Sequence, residues 1–192
     1  MKKWRLAIFA SGTGTNAANL IRYFHAHPLI ETGFVLTNNP NAGVIQKSYE
    51  LNVPVEVISN QQASDADWLR TICRSYNSDF IVLAGYLRLI PELFSVQFAK
   101  KIVNIHPSLL PKYGGKGMYG DFVHQAVLEN REKKSGISIH YVDAAYDEGA
   151  LIAQFSCDIE PGETIETLKD KISSLEQQHY PEVIETLIQS WL

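Results

Sequence analysis

The chain has 192 residues, 45% of them apolar, and its 17 Lys+Arg against 21 Asp+Glu give a formal net charge of -4. A charged fraction of 20% with 10% aromatics excludes a disordered composition, and the length suffices for one domain with a real core. An isoelectric point of about 5.9 without a basic block excludes a nucleic-acid scaffold, and no apolar run approaches the roughly 20 residues that span a bilayer. The start, Met1-Lys2-Lys3-Trp4-Arg5, has the charge of a signal peptide. Only Leu6 to Ala10 follow as an apolar run, however, and a Gly-rich stretch stands where a cleavage region belongs. Two cysteines, Cys73 and Cys157, do not make a disulfide framework. The expectation is a cytoplasmic protein.

Along the chain, strand-like runs alternate with helical patterns. Leu6-Ala7-Ile8-Phe9 is a short buried-strand run ended by the loop Ser11-Gly12-Thr13-Gly14. A helix is predicted from about Asn16 to His25, with Leu20, Ile21 and Phe24 on one face. Phe34 to Thr37 predicts a second strand, stopped by the turn signal Asn38-Asn39-Pro40-Asn41. Ala42 to Leu51 predicts a helix and Val53 to Ile58 a strand. Pro54 cannot donate to a ladder, so that strand starts late or lies at an edge. Ser64-Asp65-Ala66-Asp67 caps a helix running to about Tyr76.

Phe80 to Ala84 is the most apolar strand of the chain, as a central parallel strand should be. Pro91 opens a short helix, Lys101 to His106 is a fifth strand, and Pro107 to Gly120 is loop-like, with two prolines and four glycines. Asp121 to about Asn130 predicts a helix, followed by the alternating strand Gly136–Val142 and another strand, Leu151–Phe155. Glu163 to the end predicts one long amphipathic helix, interrupted near Tyr180-Pro181. The fold class is therefore α/β: a Rossmann-like, doubly wound, mostly parallel sheet with antiparallel C-terminal strands and a long C-terminal helix.

Three stretches carry chemistry. The first strand runs into Gly12-Thr13-Gly14-Thr15-Asn16 and then a helix, whose free N–H groups suit an anion. With Ala17 in the third glycine position this also fits a dinucleotide fingerprint, but the second strand ends in Thr37-Asn38-Asn39 instead of the acid that would hold a ribose. A single phosphate on Gly14, Thr15 and Asn16 is the better reading, and a plain tight turn is the bland one. The second stretch is Asn104-Ile105-His106-Pro107-Ser108-Leu109-Leu110-Pro111. Residues two apart share a strand face, so Asn104 and His106 project together at a strand's carboxyl end, where open α/β sheets bind ligands. An amide and an imidazole aimed at one point suit a developing oxyanion, although a strand-end histidine is often just a hydrogen-bonded residue. The third is the acidic loop Asp143–Ala150. It is either a solvated turn or the source of an acid that pairs with His106 and keeps it protonated, and spacing does not select which acid. The six histidines show no metal-ligand spacing, so no metal is expected, and neither a serine-nucleophile elbow nor a full P-loop occurs.

Taken in order, the GxG[ST]N loop, Ala84-Gly85-Tyr86-Leu87-Arg88, the Asn104–Tyr113 block and His140-Tyr141-Val142 leading to Tyr146-Asp147-Glu148-Gly149 resemble the folate-dependent formyltransferases. The match runs from Leu6 to Pro181. The loop and the length point to the members that act on glycinamide ribonucleotide in purine biosynthesis. Relatives acting on methionyl-tRNA carry an extra C-terminal domain, and formyltetrahydrofolate hydrolases an extra N-terminal one, for which the chain leaves no room.

The resemblance implies 10-formyltetrahydrofolate as co-substrate and no metal. Its partners would be small molecules, with no nucleic acid or membrane, on a monomer or homodimer. It implies that Gly14, Thr15 and Asn16 hold the substrate phosphate and Glu176 its ribose. Tyr86, Leu87, Arg88 and Ile90, with Asn104 and the Asp143–Asp147 loop, would line the folate pocket. Asn104, His106 and Asp147 would be the catalytic set. Residues 1–192 would be one formyltransferase domain, its phosphate-binding part about 1–100 and its catalytic and folate-binding part about 84–192. Gln177 departs from the histidine common after the family's glutamate, and the Gly114–Gly120 loop is longer than in several relatives. The alternatives are a formyltetrahydrofolate hydrolase and a non-catalytic phosphate-ligand binder.

Overall fold

The computed structural model describes residues 3–191; Met1 and Lys2 of the basic start, and Leu192 at the close of the last helical pattern, lie outside the described residues. The elements are β1 (Trp4–Phe9), α1 (Thr15–Phe24), β2 (Ile30–Thr37), α2 (Gly43–Glu50), β3 (Val55–Val57), α3 (Asn60–Ala63) and α4 (Ala66–Ser75). They continue with β4 (Phe80–Leu83), α5 (Glu92–Gln97), β5 (Ile102–His106), α6 (Asp121–Glu129), β6 (Lys134–Tyr141), β7 (Leu151–Asp158) and α7 (Ile165–Gln189). The seven strands form one sheet in the order β3-β2-β1-β4-β5-β6-β7. Strands β3 to β5 are mutually parallel, whereas β6 and β7 run antiparallel to their neighbours.

Period-2 alternation decides which side chain goes to which face. Leu6 and Ile8 of β1 join one core, with Leu20, Phe24, Tyr180, Ile184 and Ile188 from α1 and α7. Ala7 and Phe9 join the other, with Leu69, Cys73 and Phe94 from α4 and α5. β4, at the centre, is buried at all four positions, which is why its sequence is continuously apolar. Pro54 precedes β3, which is both short and at the sheet edge; its carbonyl accepts from Val35 N–H at 2.8 Å.

The structure departs from the sequence reading in several places: β6 starts earlier, at Lys134, and β7 runs on to Asp158. β2 begins at Ile30 rather than Phe34, because a register shift opposite Leu6/Ala7 lets its first turn-like residues pair with β1. The short α3 was not anticipated, although Ser59 and Gln62 form a capping box, a pattern visible in sequence. Most informative is α7, which is continuous over 25 residues with Pro181 inside it and no interruption. A proline removes the N–H that would satisfy the carbonyl four residues back, here that of Gln177. The Gln177 carbonyl instead accepts from Asn19 Nδ2 of α1 at 2.7 Å. A neighbouring helix supplies the missing donor.

The winding reverses between β1 and β4: β1 leads outward to β2 and β3, and β4 leads the other way to β5. Their carboxyl ends therefore splay apart and open a crevice.

Candidate active site

The crevice contains a cavity of about 680 Å³. It is lined by the Gly12–Asn16 loop after β1, the 83–90 segment after β4, the end of β5, the glycine-rich 115–120 segment, Ala145–Asp147 and one face of α7. That volume lies within the range of small-molecule sites.

At one end, Gly14 takes a left-handed conformation (φ 76) and caps α1, so Thr15 and Asn16 open the helix and leave its first amides free. No acidic residue stands in the first turn of α1. A Cβ on Gly14 would meet the Cα of Val44 at 2.6 Å. The glycine is thus required by α2 packing behind the loop. Ser11 Oγ donates to Asn38 Oδ1 at 2.7 Å, and Asn39 Nδ2 donates to the Ser11 carbonyl. Asn38 and Asn39 fasten the loop, which explains why a polar pair follows β2. Asn16 Nδ2 donates to Glu176 Oε2 at 2.9 Å across to α7, and burial pushes the Glu176 carboxyl above its ordinary range despite that bond.

At the other end, β5 projects Asn104 and His106 to one side, as the period-2 rule predicts, and the antiparallel register sets His140 of β6 opposite Asn104. Asn104 Nδ2 is 3.0 Å from His140 Nε2 and 3.3 Å from Asp147 Oδ1. His140 Nδ1 donates to the Tyr141 carbonyl at 2.8 Å, which fixes the ring. His106, 4% exposed, has Nε2 at 2.7 Å from the Tyr113 carbonyl and Nδ1 at 3.4 Å from Asp147 Oδ2. The Gly115 N–H donates to Asp147 Oδ2 at 2.9 Å. Asp147 and Tyr113 both hold left-handed backbone (φ 57 each), a conformation that costs a residue with a side chain about 1 kcal/mol. Strained backbone of this kind collects where geometry serves function.

Both His106 nitrogens face oxygens that can only accept, so the contacts suit an imidazolium. Burial acts the other way and is the larger effect: the His106 pKa lies below 6.5, with the Asp147 charge and the Tyr113 bond opposing the fall and His140 adding to it. This corrects the expectation that an acid keeps His106 protonated; the acid is present, but desolvation outweighs it. For Asp147 burial likewise opposes the charge, yet the His140 and His106 rings 3.4 Å away and the Gly115 amide together hold its carboxyl below its ordinary value.

Among the residues expected to line a folate pocket, Tyr86, Leu87, Arg88 and Ile90 line the cavity, as do Asn104 and Asp147. Asp143 is exposed and does not line it; its carboxylate accepts from Ala145 N–H at 3.1 Å. Sequence reasoning missed His140, the Gly115 amide and His124. The last lines the cavity, buried, with Nδ1 lacking a hydrogen-bond partner among the described residues. Only the β5–β6 register could have revealed His140.

The Formyl transferase family profile matches residues 4–184. This chain belongs to the formyl transferase family. Among its family relatives, the phosphoribosylglycinamide formyltransferase of Bacillus subtilis is 33% identical, over 98% of this chain and 95% of its own. The chloroplastic phosphoribosylglycinamide formyltransferase of Arabidopsis thaliana is 35% identical, and this chain spans 65% of its length. A crystal structure of phosphoribosylglycinamide formyltransferase from Anaplasma phagocytophilum superposes with a TM-score of 0.89 at 28% identity, covering 98% of this chain and 89% of that one. The mixed sheet and long C-terminal helix are therefore those of this family. Among the described residues, no helix is long and apolar enough to cross a membrane.

Proposed function

We propose that this formyltransferase moves the formyl group of 10-formyltetrahydrofolate to the amine of glycinamide ribonucleotide, the step of purine biosynthesis named for its relatives. One observation carries the reading: a single cavity joins the free amides of the Gly12–Asn16 loop to Asn104, the buried His106 and Asp147. A phosphate at the loop on Gly14, Thr15 and Asn16, with the ribose toward Glu176, directs the amine along the cavity toward β5. The 86–90 segment, with Leu87 and Arg88 exposed at its rim, would hold the folate.

The chemistry follows from the donors. The amine attacks the formyl carbon; a C–N bond forms, and the carbonyl oxygen becomes an oxyanion. Asn104 Nδ2 and His106 Nε2 would stabilise it, each well-placed donor contributing roughly 3–4 kcal/mol. In the structure both donors are engaged with protein acceptors, Asn104 with His140 and Asp147 and His106 with the Tyr113 carbonyl. Substrate binding would exchange those partners for the reacting oxygen. Collapse then breaks the bond to N10, and Asp147, ionised beside His106, helps carry the proton from the attacking amine to the departing nitrogen, directly or through a water. No covalent bond to the enzyme is needed.

Purified protein incubated with 10-formyltetrahydrofolate, with and without glycinamide ribonucleotide, tests this through folate absorbance. Formyl loss only with the nucleotide supports transfer. Loss without it supports a hydrolase, and loss in neither case a binding protein.

A further inference from the structure

We propose that His140 is a positioning residue: a neutral imidazole whose Nε2 lone pair holds the Asn104 carboxamide with an N–H turned to the reacting oxygen. This rests on the proposed formyl transfer, in which Asn104 is an oxyanion donor.

His140 is 2% exposed, and the β5–β6 register sets it directly opposite Asn104. Its two nitrogens have different neighbours. Nδ1 lies 2.8 Å from the Tyr141 carbonyl, an oxygen that can only accept, so the ring proton sits on Nδ1. A neutral ring then carries its lone pair on Nε2, which lies 3.0 Å from Asn104 Nδ2. That lone pair requires a donor. The Asp147 carboxylate oxygen, 3.3 Å from the same Asn104 nitrogen, requires one too. Both neighbours select the carboxamide orientation with Nδ2 toward them, since Oδ1 would meet a lone pair and a negative charge.

The two ends of a carboxamide have nearly the same shape, and only the NH2 end stabilises an oxyanion. Packing alone does not tell them apart, whereas the His140 lone pair does. Of the two bonds from Nδ2, the one to His140 is shorter and ends on a ring fixed within the sheet. Asp147 stands in the segment between β6 and β7. The Asp147 bond is the one given up to the oxyanion, and the hydrogen on His140 stays in place. A bland role for His140 is a buried ring that fills space between strands. That role predicts a loss of stability and no link to Asn104. A protonated His140 is the other alternative, with its Nε2–H turned to Asp147 Oδ1 at 3.4 Å and set against the Asn104 donor.

Two measurements test the proposal. The first is nitrogen NMR of protein carrying isotope-labelled histidine, with His140 assigned by the signals missing from His140→Gln. Nδ1 should appear protonated and Nε2 unprotonated; a protonated Nε2 overturns the proposal, whatever the substrate. The second is steady-state kinetics with 10-formyltetrahydrofolate and glycinamide ribonucleotide. His140→Leu should lower kcat about a hundredfold with little change in either KM. His140→Gln, whose amide oxygen can accept from Asn104, should stay within about tenfold of wild type. His140→Leu added to Asn104→Ala should cost nothing further, because His140 acts through that amide. Equal losses for the Leu and Gln variants, additive losses in the double variant, or a KM effect as large as the kcat effect overturns the proposal. Wild type that transfers no formyl group removes the functional reading and the role of His140 in it, and the NMR result separates that failure from a wrong ring state.

Discussion

At the β1 end of the cavity the groups that face it are backbone amides held in place by packing, with Gly14 pressed against Val44 and Asn38 and Asn39 tying the loop down. At the β5–β6 end they are side chains, and their positions depend on one another: Asn104 is hydrogen-bonded to His140 and Asp147, and the His106 and His140 rings lie 3.4 Å from the Asp147 carboxylate. The loop amides of the first construction do not titrate, and the titrating group beside them is Glu176, whose carboxyl burial pushes upward. The second responds to pH, because burial and the Asp147 charge pull the His106 proton in opposite directions. Rigid backbone suits a group that must only be held. Exchangeable side chains suit a group that gains charge during reaction.

The largest effect should come from breaking the side-chain end alone. Asn104→Ala removes a neutral donor and leaves the Gly12–Asn16 loop untouched. We expect kcat to fall by about 10²–10³, the usual cost of a lost oxyanion donor, with little change in the nucleotide KM. Steady-state kinetics on both substrates checks this, and a KM effect as large as the kcat effect would mean that Asn104 serves binding.

Breaking the backbone end should look different. Gly14→Ala places a Cβ 2.6 Å from Val44 at a left-handed position. The strain acts on packing between the loop and α2. The expected loss is about 2–4 kcal/mol of stability, from overpacking and the left-handed backbone together, read by denaturant unfolding, with the nucleotide KM raised in whatever protein remains folded.

The smallest effect sharpens the comparison from outside the cavity. Asn19→Ala removes the donor that Pro181 makes necessary in α7. The Gln177 carbonyl lies at an exposed position, so water replaces the lost bond, and the cost should be about 0.5 kcal/mol, or about 1–2 °C in Tm. Loss of activity without loss of stability would show that this end of α7, which also carries Glu176, is tuned for the ligand.

The same contrast explains what was legible in the sequence. The strand alternation, the apolar β4, the edge position of β3 and the placing of Asn104 with His106 on one strand face all follow from local periodicity. The glycine loop was legible too, but its reason was not: Val44 comes from a helix 30 residues further on. Pro181 read as a helix breaker because its compensation lies in α1. His140 was invisible as a site residue because only the β5–β6 register brings it to Asn104. The His106 pKa was misjudged because a sequence offers the neighbouring acid but not the depth of burial. Each miss is a contact between distant segments.

The central claim is that the buried His106–Asp147 pair, and no other acid of the 143–148 loop, performs the chemistry. The direct measurement is kcat against pH for wild type, Asp147→Asn and Asp143→Asn. Asp147 lies against His106, whereas Asp143 is exposed and turned to Ala145. Removing the Asp147 charge takes away the larger of the two effects that oppose desolvation, so the His106 pKa falls further and less imidazolium remains at neutral pH. The account predicts that Asp147→Asn loses at least about a hundredfold in kcat, or about 2.7 kcal/mol of barrier, with its residual activity moved to lower pH, while Asp143→Asn stays near wild type. A crippled Asp143→Asn beside a nearly normal Asp147→Asn would contradict it.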